Sequence, residues 1–255
     1  MTTTISLVAT SRADENSYAS LADVTGILGD ASYRVIGGHM VSILSAAFPT
    51  AAPIRRTSDS DVGVDVVELA AVGLDDQLRN LGYKSTSGNH YERAAQSEGK
   101  LAIDVLVPSP TAVFEPLSIG DRTYDAAPGL RLALAAPSLD FSVVAHMLDG
   151  KLFEFRAKLP TVEHALIIKA SAFQSRLETR DLEDIYGLLE IASEYDREAI
   201  GGWRLDAPPL RGSRLDAARV LINIARTHRT SGVVQTAAVP GARLAALINL
   251  LIRDE

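Results

Sequence analysis

The chain has 255 residues, 47% of them hydrophobic and 22% charged, with no cysteine and a formal net charge of −7. That composition excludes a disordered or collagen-like chain, and it excludes disulfide, thiolate and cysteine–zinc chemistry. No apolar run approaches the roughly 20 residues needed to span a bilayer, and Met1–Arg12 lacks the pattern of a secretory leader, so a soluble cytoplasmic protein with no membrane partner is expected. Leu21, Val24, Ile27 and Leu28 have helical spacing, and Tyr33–Ile36 reads as a short strand ending at Gly37-Gly38. Met40, Ile43, Leu44, Ala47 and Phe48 form a second amphipathic helix, closed by Pro49. Val62, Val64 and Val66 alternate with Asp61, Gly63 and Asp65, a period-two strand with one polar face. Leu74, Leu78 and Leu81 make a helix that stops at Gly82, and Leu101–Val107 is a strand ended by Pro108 and Pro110.

A loop over Asp121–Gly129 then divides the chain into residues 1–128, which carry the sheet, and residues 129–255, which are mainly helical. Phe141–Met147 and Leu152–Leu159 form a hairpin through Asp149-Gly150. Helices follow from Thr161 to Leu177 and from about Arg180 to Tyr195; Pro208-Pro209 lies in a loop, and Ser213–Thr227 and Ala242–Ile252 close the chain. The expected class is α+β, or mixed α/β.

The charge is uneven. Residues 1–128 hold 9 Lys/Arg against 16 Asp/Glu (net −7), residues 129–200 hold 8 against 12 (net −4), and residues 201–255 hold 8 against 4 (net +4). Arg204, Arg211, Arg214, Arg219, Arg226 and Arg229 in this last part are candidates for a nucleic-acid backbone; ordinary solvated positions are the alternative.

Chemistry is suggested first by Arg56-Thr57-Ser58-Asp59-Ser60-Asp61. Residues two apart on a strand share a face, so Asp59 and Asp61 project together and repel unless a cation offsets them. Mg²⁺ suits such a pair, taking one or two carboxylates and substrate phosphates; a solvated strand face is the other reading. Asp104 interrupts the apolar strand Leu101–Val107, and local rule-breaking of that kind is expected at functional sites. Gly37-Gly38 before a helix would let a backbone approach a phosphate, although a tight turn explains it equally well.

In this order, Gly37-Gly38-His39-Met40, the segment Arg56–Val64, Ile103–Pro108, and then Lys169-Ala170-Ser171-Ala172, Arg176 and Arg180-Asp181-Leu182-Glu183-Asp184 resemble the AbiEii/MenT-type nucleotidyltransferases, over residues 33–192. The resemblance implies a polymerase-beta-like nucleotidyltransferase core with a mixed sheet, followed by a β-hairpin and helical part that complete its cleft. It also implies a nucleoside triphosphate substrate, Mg²⁺ or Mn²⁺ on Asp59 and Asp61, with Asp104 either completing a two-metal site or acting as base on the acceptor hydroxyl, and catalytic roles for those three with Lys169 and Asp184. Gly37, Gly38, Arg56, Thr57, Lys169 and Arg176 would bind the nucleotide. A toxin of a type IV toxin–antitoxin system follows from the same likeness, with tRNA as acceptor and a cognate antitoxin protein as partner. Arg180 stands where the family has lysine, and Gly38 where many members of the wider fold have serine. Transfer to a small acceptor such as an aminoglycoside, or nucleotide or partner binding without catalysis, are the competing readings. His39, His90, His146, His164 and His228 lack metal-ligand spacing and read as structural.

Overall fold

The structure, a computed structural model, describes residues 3–96 and 98–254. The chain opens with β1 (Thr3–Val8), α1 (Arg12–Leu28), β2 (Tyr33–Val35) and α2 (Gly37–Ala47). Next come β3 (Ser60–Val64), α3 (Val66–Val72), α4 (Leu74–Asn80), β4 (Lys84–Ser87), β5 (His90–Ala94) and β6 (Lys100–Pro108). A second hairpin, β7 (Glu115–Ile119) and β8 (Arg122–Ala127), leads to α5 (Leu130–Ala135), β9 (Leu139–His146) and β10 (Leu152–Leu159). The chain ends in α6 (Val162–Arg176), α7 (Thr179–Glu194), α8 (Ser213–Thr227), α9 (Gly232–Thr236) and α10 (Gly241–Leu251).

The fold is α+β, as the sequence pattern implies. Its larger sheet has seven strands in the order β2-β3-β6-β5-β4, with β8 added to β6 and β7 to β8. β3 and β6 run parallel at its centre. Valines alternate inward along β3 (Val62 and Val64 are fully buried), while Ile103, Val105 and Val107 do the same on β6. Beneath them lies α1, started by Ser11, whose hydroxyl accepts from the Asp14 amide at 3.1 Å. On the same side Ser60 is wholly buried, its hydroxyl 2.8 Å from that of Ser20 and 2.9 Å from the Ser17 carbonyl. Ser60 thus pins the start of β3 to α1 and turns its two aspartate neighbours to the opposite face.

The smaller sheet, β1-β9-β10, crosses the chain's midpoint, because β1 pairs in parallel with β9. The 128/129 division therefore separates chain segments but not sheets. Helix α6 is buried almost all round, as a helix apolar on most faces must be, and it packs against α5, α7 and α8.

Two expected boundaries differ. The strand read through Val66 stops at Val64, because the Asp65 carboxylate accepts from the Val67 amide at 3.0 Å and starts α3. The loop expected over Asp121–Gly129 is largely the strand β8. Its alternation is short, with Tyr124 and Ala126 buried and Asp125 exposed, and it is held between β6 and β7.

Candidate active site

The candidate site is outlined by the carboxylate face of the β3–β6 pair, by α2, which packs on β3 and on α6 and α7, and by Lys169 and Arg176 of α6, whose charges reach Asp61. Asp61 and Asp104 are register partners on the parallel strands β3 and β6 and share one face of the sheet. Asp59 is exposed just ahead of β3, with the Ser58 hydroxyl donating to it at 3.1 Å. Asp61 keeps some surface, but burial of its carboxyl, reinforced by repulsion from Asp104, pushes it up to about 7 even though Lys169 acts in the opposite direction. Asp104 is also raised by burial, against the lowering effect of its bond to His90.

Gly37 and Gly38 are required where they stand. Gly37 has φ +66°, and a Cβ there would lie 1.8 Å from the Asp61 Oδ2. At Gly38 a Cβ would come within 2.6 Å of the Thr57 side chain and 2.8 Å of the Arg55 guanidinium. So α2 is brought against the carboxylate strand and the loop before it by the absence of two methyl groups. Its first turn has no side-chain cap, leaving backbone N–H groups as donors at the positive end of the helix dipole.

The opposite wall is a chain of charges on α6 and α7. Lys169, buried, has its Nζ 2.6 Å from the Asp184 carboxylate and 3.7 Å from that of Asp181. Arg176 donates two bonds to Asp181, at 2.6 and 2.7 Å, which hold its guanidinium above its ordinary value. Arg55 closes the other end with two bonds of 3.2 Å to Asp184. Three cations face two carboxylates here, leaving one positive charge towards the aspartates of the sheet.

Asp59, Asp61, Asp104, Gly37, Gly38, Thr57, Lys169, Arg176 and Asp184 are thus assembled around one cleft. Arg56 is engaged elsewhere: its guanidinium donates to Asp14 at 2.7 Å and to the Val8 carbonyl at 3.3 Å. Its neighbour Arg55 is the residue that reaches Asp184, a choice between adjacent arginines that depends on the path of the loop. Arg180 is half-exposed and pairs with Glu178, away from this charge chain. Of the six arginines considered for a polyanion, Arg214 turns inward to Glu163 (2.7 Å) and His164 (3.1 Å), whereas the other five are exposed.

His90 departs from the structural reading given to the histidines. Its Nδ1 lies 2.7 Å from Asp104 and its Nε2 2.9 Å from Glu92. Burial disfavours its charge, but those two carboxylates outweigh burial and raise the imidazole above its ordinary value. The alternation His90–Glu92 hinted at a shared face; the pairing of β5 with β6, which sets His90 opposite Asp104, supplied the partner. Asp125, placed on the carboxylate face by β8, also escaped the sequence reading.

A divalent cation fits the chemistry of this donor set. Asp61 and Asp104 sit side by side, and burial first, with neighbouring negative charge second, holds both carboxyls above their ordinary values. Among the described residues no three His, Asp or Glu side chains converge on a ready-made metal site, and Asp104 is turned onto His90. Mg²⁺ bound by one or two carboxylates and completed by substrate phosphates matches that arrangement better than a protein cage.

No family profile matches the chain, and no curated protein matches it in sequence. Solved structures do resemble it. An antigenic nucleotidyltransferase-like protein from Paracoccidioides brasiliensis superposes with a TM-score of 0.44 at 16% identity, over 93% of this chain and 95% of that one. JHP933 from Helicobacter pylori gives 0.45 at 11% identity, over 95% and 91%. The Megavirus polyadenylate synthase gives 0.36 at 11% identity, over 84% of this chain and 37% of that one.

Proposed function

We propose that the protein is a nucleotidyltransferase of the AbiEii/MenT type, moving a nucleoside monophosphate from a nucleoside triphosphate to an acceptor hydroxyl on tRNA. The observation that carries this reading is the juxtaposition of Asp61 and Asp104 on adjacent parallel strands, packed against the Gly37-Gly38 helix start. Asp59 and Asp61 would hold Mg²⁺, which would supply charge neutralisation for the triphosphate and for the charge developing on its oxygens. The free amides at the start of α2 bind phosphate oxygens, and Lys169, fixed by Asp184 and Asp181, offers a preorganised cation to charge developing in the transition state.

Asp104 takes the proton of the acceptor hydroxyl; its raised pKa favours that role, and His90 orients its carboxylate. The hydroxyl oxygen forms a bond to the α-phosphorus as the bond from that phosphorus to the bridging oxygen breaks. The electron pair leaves on pyrophosphate. The basic C-terminal part supports a polyanionic acceptor, and a cognate antitoxin partner belongs to the same reading.

The test is incubation with labelled ATP, GTP, CTP and UTP, Mg²⁺ and total tRNA. Label on tRNA with release of pyrophosphate is expected. Label on an aminoglycoside and none on RNA selects the small-acceptor reading, and no transfer to either refutes nucleotidyl transfer.

A further inference from the structure

The geometry points to a ribose-recognition subsite beside Asp104, with the Asp125 carboxylate accepting a sugar hydroxyl; this rests on the nucleotidyltransferase reading. β8 extends the sheet at the end of β6 beyond β5, and Asp125 is in register with Leu106. Partners in a parallel ladder share a face, and Asp104 lies two residues before Leu106, so Asp125 stands on the same face as Asp104 and Asp61. Its charge is near enough to contribute to the raised pKa of Asp104.

A cavity of about 230 Å³ opens at this point, between the β7–β8 hairpin and the last turns of α6. Pro116 and Phe114 line it from the hairpin side, and Ala172, Ser175 and Arg176 from the helix. The cavity is smaller than the roughly 300–1,000 Å³ of sites that enclose drug-sized ligands. It suits one sugar with the edge of its base, the phosphates passing outward along Arg176.

The polar groups of the cavity differ in what they leave free. Arg176 is committed to Asp181 through two hydrogen bonds. Glu115 accepts from the hydroxyls of Thr111, at 2.6 Å, and Ser109, at 3.3 Å. Asp125 has no hydrogen-bond or ion-pair partner among the described residues. An ionised carboxylate only accepts, so its complement is a donor. A cationic ligand would meet Arg176 on the facing wall; a neutral hydroxyl pair meets no such opposition. Carboxylates recognise ribose hydroxyls in this way at dinucleotide sites. The rings of Phe114 and Pro116 and the Ala172 methyl group supply apolar contact for the sugar and base edge.

The ribose could belong to the incoming nucleotide or to the acceptor's terminal residue, and the experiment separates the two. Transfer is measured from the four ribonucleoside triphosphates and from their 2′-deoxy and 3′-deoxy forms. It is also measured to a synthetic acceptor-stem RNA ending in ribose or in 2′-deoxyribose. Wild type is expected to prefer the ribose form in one arm by roughly 10–100-fold in kcat/KM, the scale of one hydrogen bond to a charged group. Asp125→Asn is expected to bring that ratio close to one. The arm in which the ratio collapses identifies the source of the ribose.

Wild type without preference in either arm, or a preference kept in both Asp125→Asn and Asp125→Ala, overturns the inference while leaving nucleotidyl transfer standing. If wild type transfers nothing, the underlying reading fails, and calorimetric titration decides the subsite alone. ATP is then compared with 2′-deoxy-ATP, and the ribose-ended with the deoxyribose-ended RNA. Equal affinities within both pairs refute the subsite, and a ribose preference erased by Asp125→Asn supports it.

Discussion

The two walls of the cleft handle charge in opposite ways. On α6 and α7 each buried aspartate is shared between two cations: Asp181 between Arg176 and Lys169, Asp184 between Lys169 and Arg55. On the sheet, Asp61 faces Asp104 across a strand pair, and the nearest bonded partner is a histidine on the Asp104 side alone. The helical wall is complete within the protein, whereas the strand wall is left short of positive charge. Such a contrast is expected where one surface positions a ligand and the other receives a cation with it.

The largest effect that tests this contrast is on transfer. Asp61→Asn or Asp59→Asn is expected to lower nucleotide incorporation by about 10³-fold or more, since metal-assisted charge stabilisation contributes several kcal/mol. Incorporation of labelled nucleotide within tenfold of wild type would remove the strand pair from the chemistry.

Next comes stability at the helical wall. Asp184→Ala leaves Lys169 buried and strips Arg55 of its partner, and breaking a buried ion pair from one side costs about 3–5 kcal/mol. Urea unfolding should show that loss. Asp61→Asn, by contrast, is expected to be neutral or stabilising at pH 8 in EDTA. Equal losses for the two variants would erase the difference between the walls.

The pH dependence has a definite sign. Asp61 titrates near 7 in the folded chain against 3.8 as its ordinary value. Between those values the folded state holds a proton that the unfolded state has lost, so this group's contribution to stability is present at pH 4 and is lost as pH rises through about 7. The difference curve between wild type and Asp61→Asn, measured without divalent cations, should span at most a few kcal/mol over that window. A flat difference curve would show that Asp61 is not the strained carboxylate.

Smaller effects lie at the edges of the site. Gly37→Ala forces a left-handed backbone on a residue with a Cβ and drives that atom into Asp61, at a cost of about 1–3 kcal/mol. Thermal unfolding and incorporation should both fall. Arg180→Ala, on a half-exposed side chain paired with Glu178, should change stability by less than about 1 kcal/mol and leave incorporation near wild type. A large loss of activity would give Arg180 the phosphate contact that its position in the Arg180-Asp181 motif suggests.

The directions of several of the cleft's side chains could be read in advance because local periodicity decides them, whereas Lys169, Arg176 and Asp184 are singled out by the family resemblance. Period two on β3 puts Ser60 beneath and Asp61 above, whereas Asp59 lies just ahead of the strand. Seven-residue spacing sets Lys169 and Arg176 on one helix face, and three-residue spacing does the same for Asp181 and Asp184. The unfavourable carboxylate in the apolar run Leu101–Val107 announced itself. The β8 strand did not, because six residues with Gly120 and Gly129 at their margins look like a loop until two neighbouring strands supply their hydrogen bonds.

The residues that escaped notice depend on partners remote in the chain. Arg55 and Arg56 are indistinguishable by type; one reaches Asp184, 129 positions away, and the other Asp14, 42 positions back. His90 becomes a partner of Asp104 only through the register of β5 on β6, and Asp125 reaches the carboxylate face only through the pairing of β8. Side-chain direction along a strand or helix follows from backbone geometry that each segment carries with it. What faces that side chain follows from strand register and helix packing, which are settled by burial and hydrogen bonding over the whole chain. The identities and directions of the cleft's charges are therefore local properties, and their compensation, whether by Lys169 and Arg55 or by a bound cation, is a property of the assembled fold.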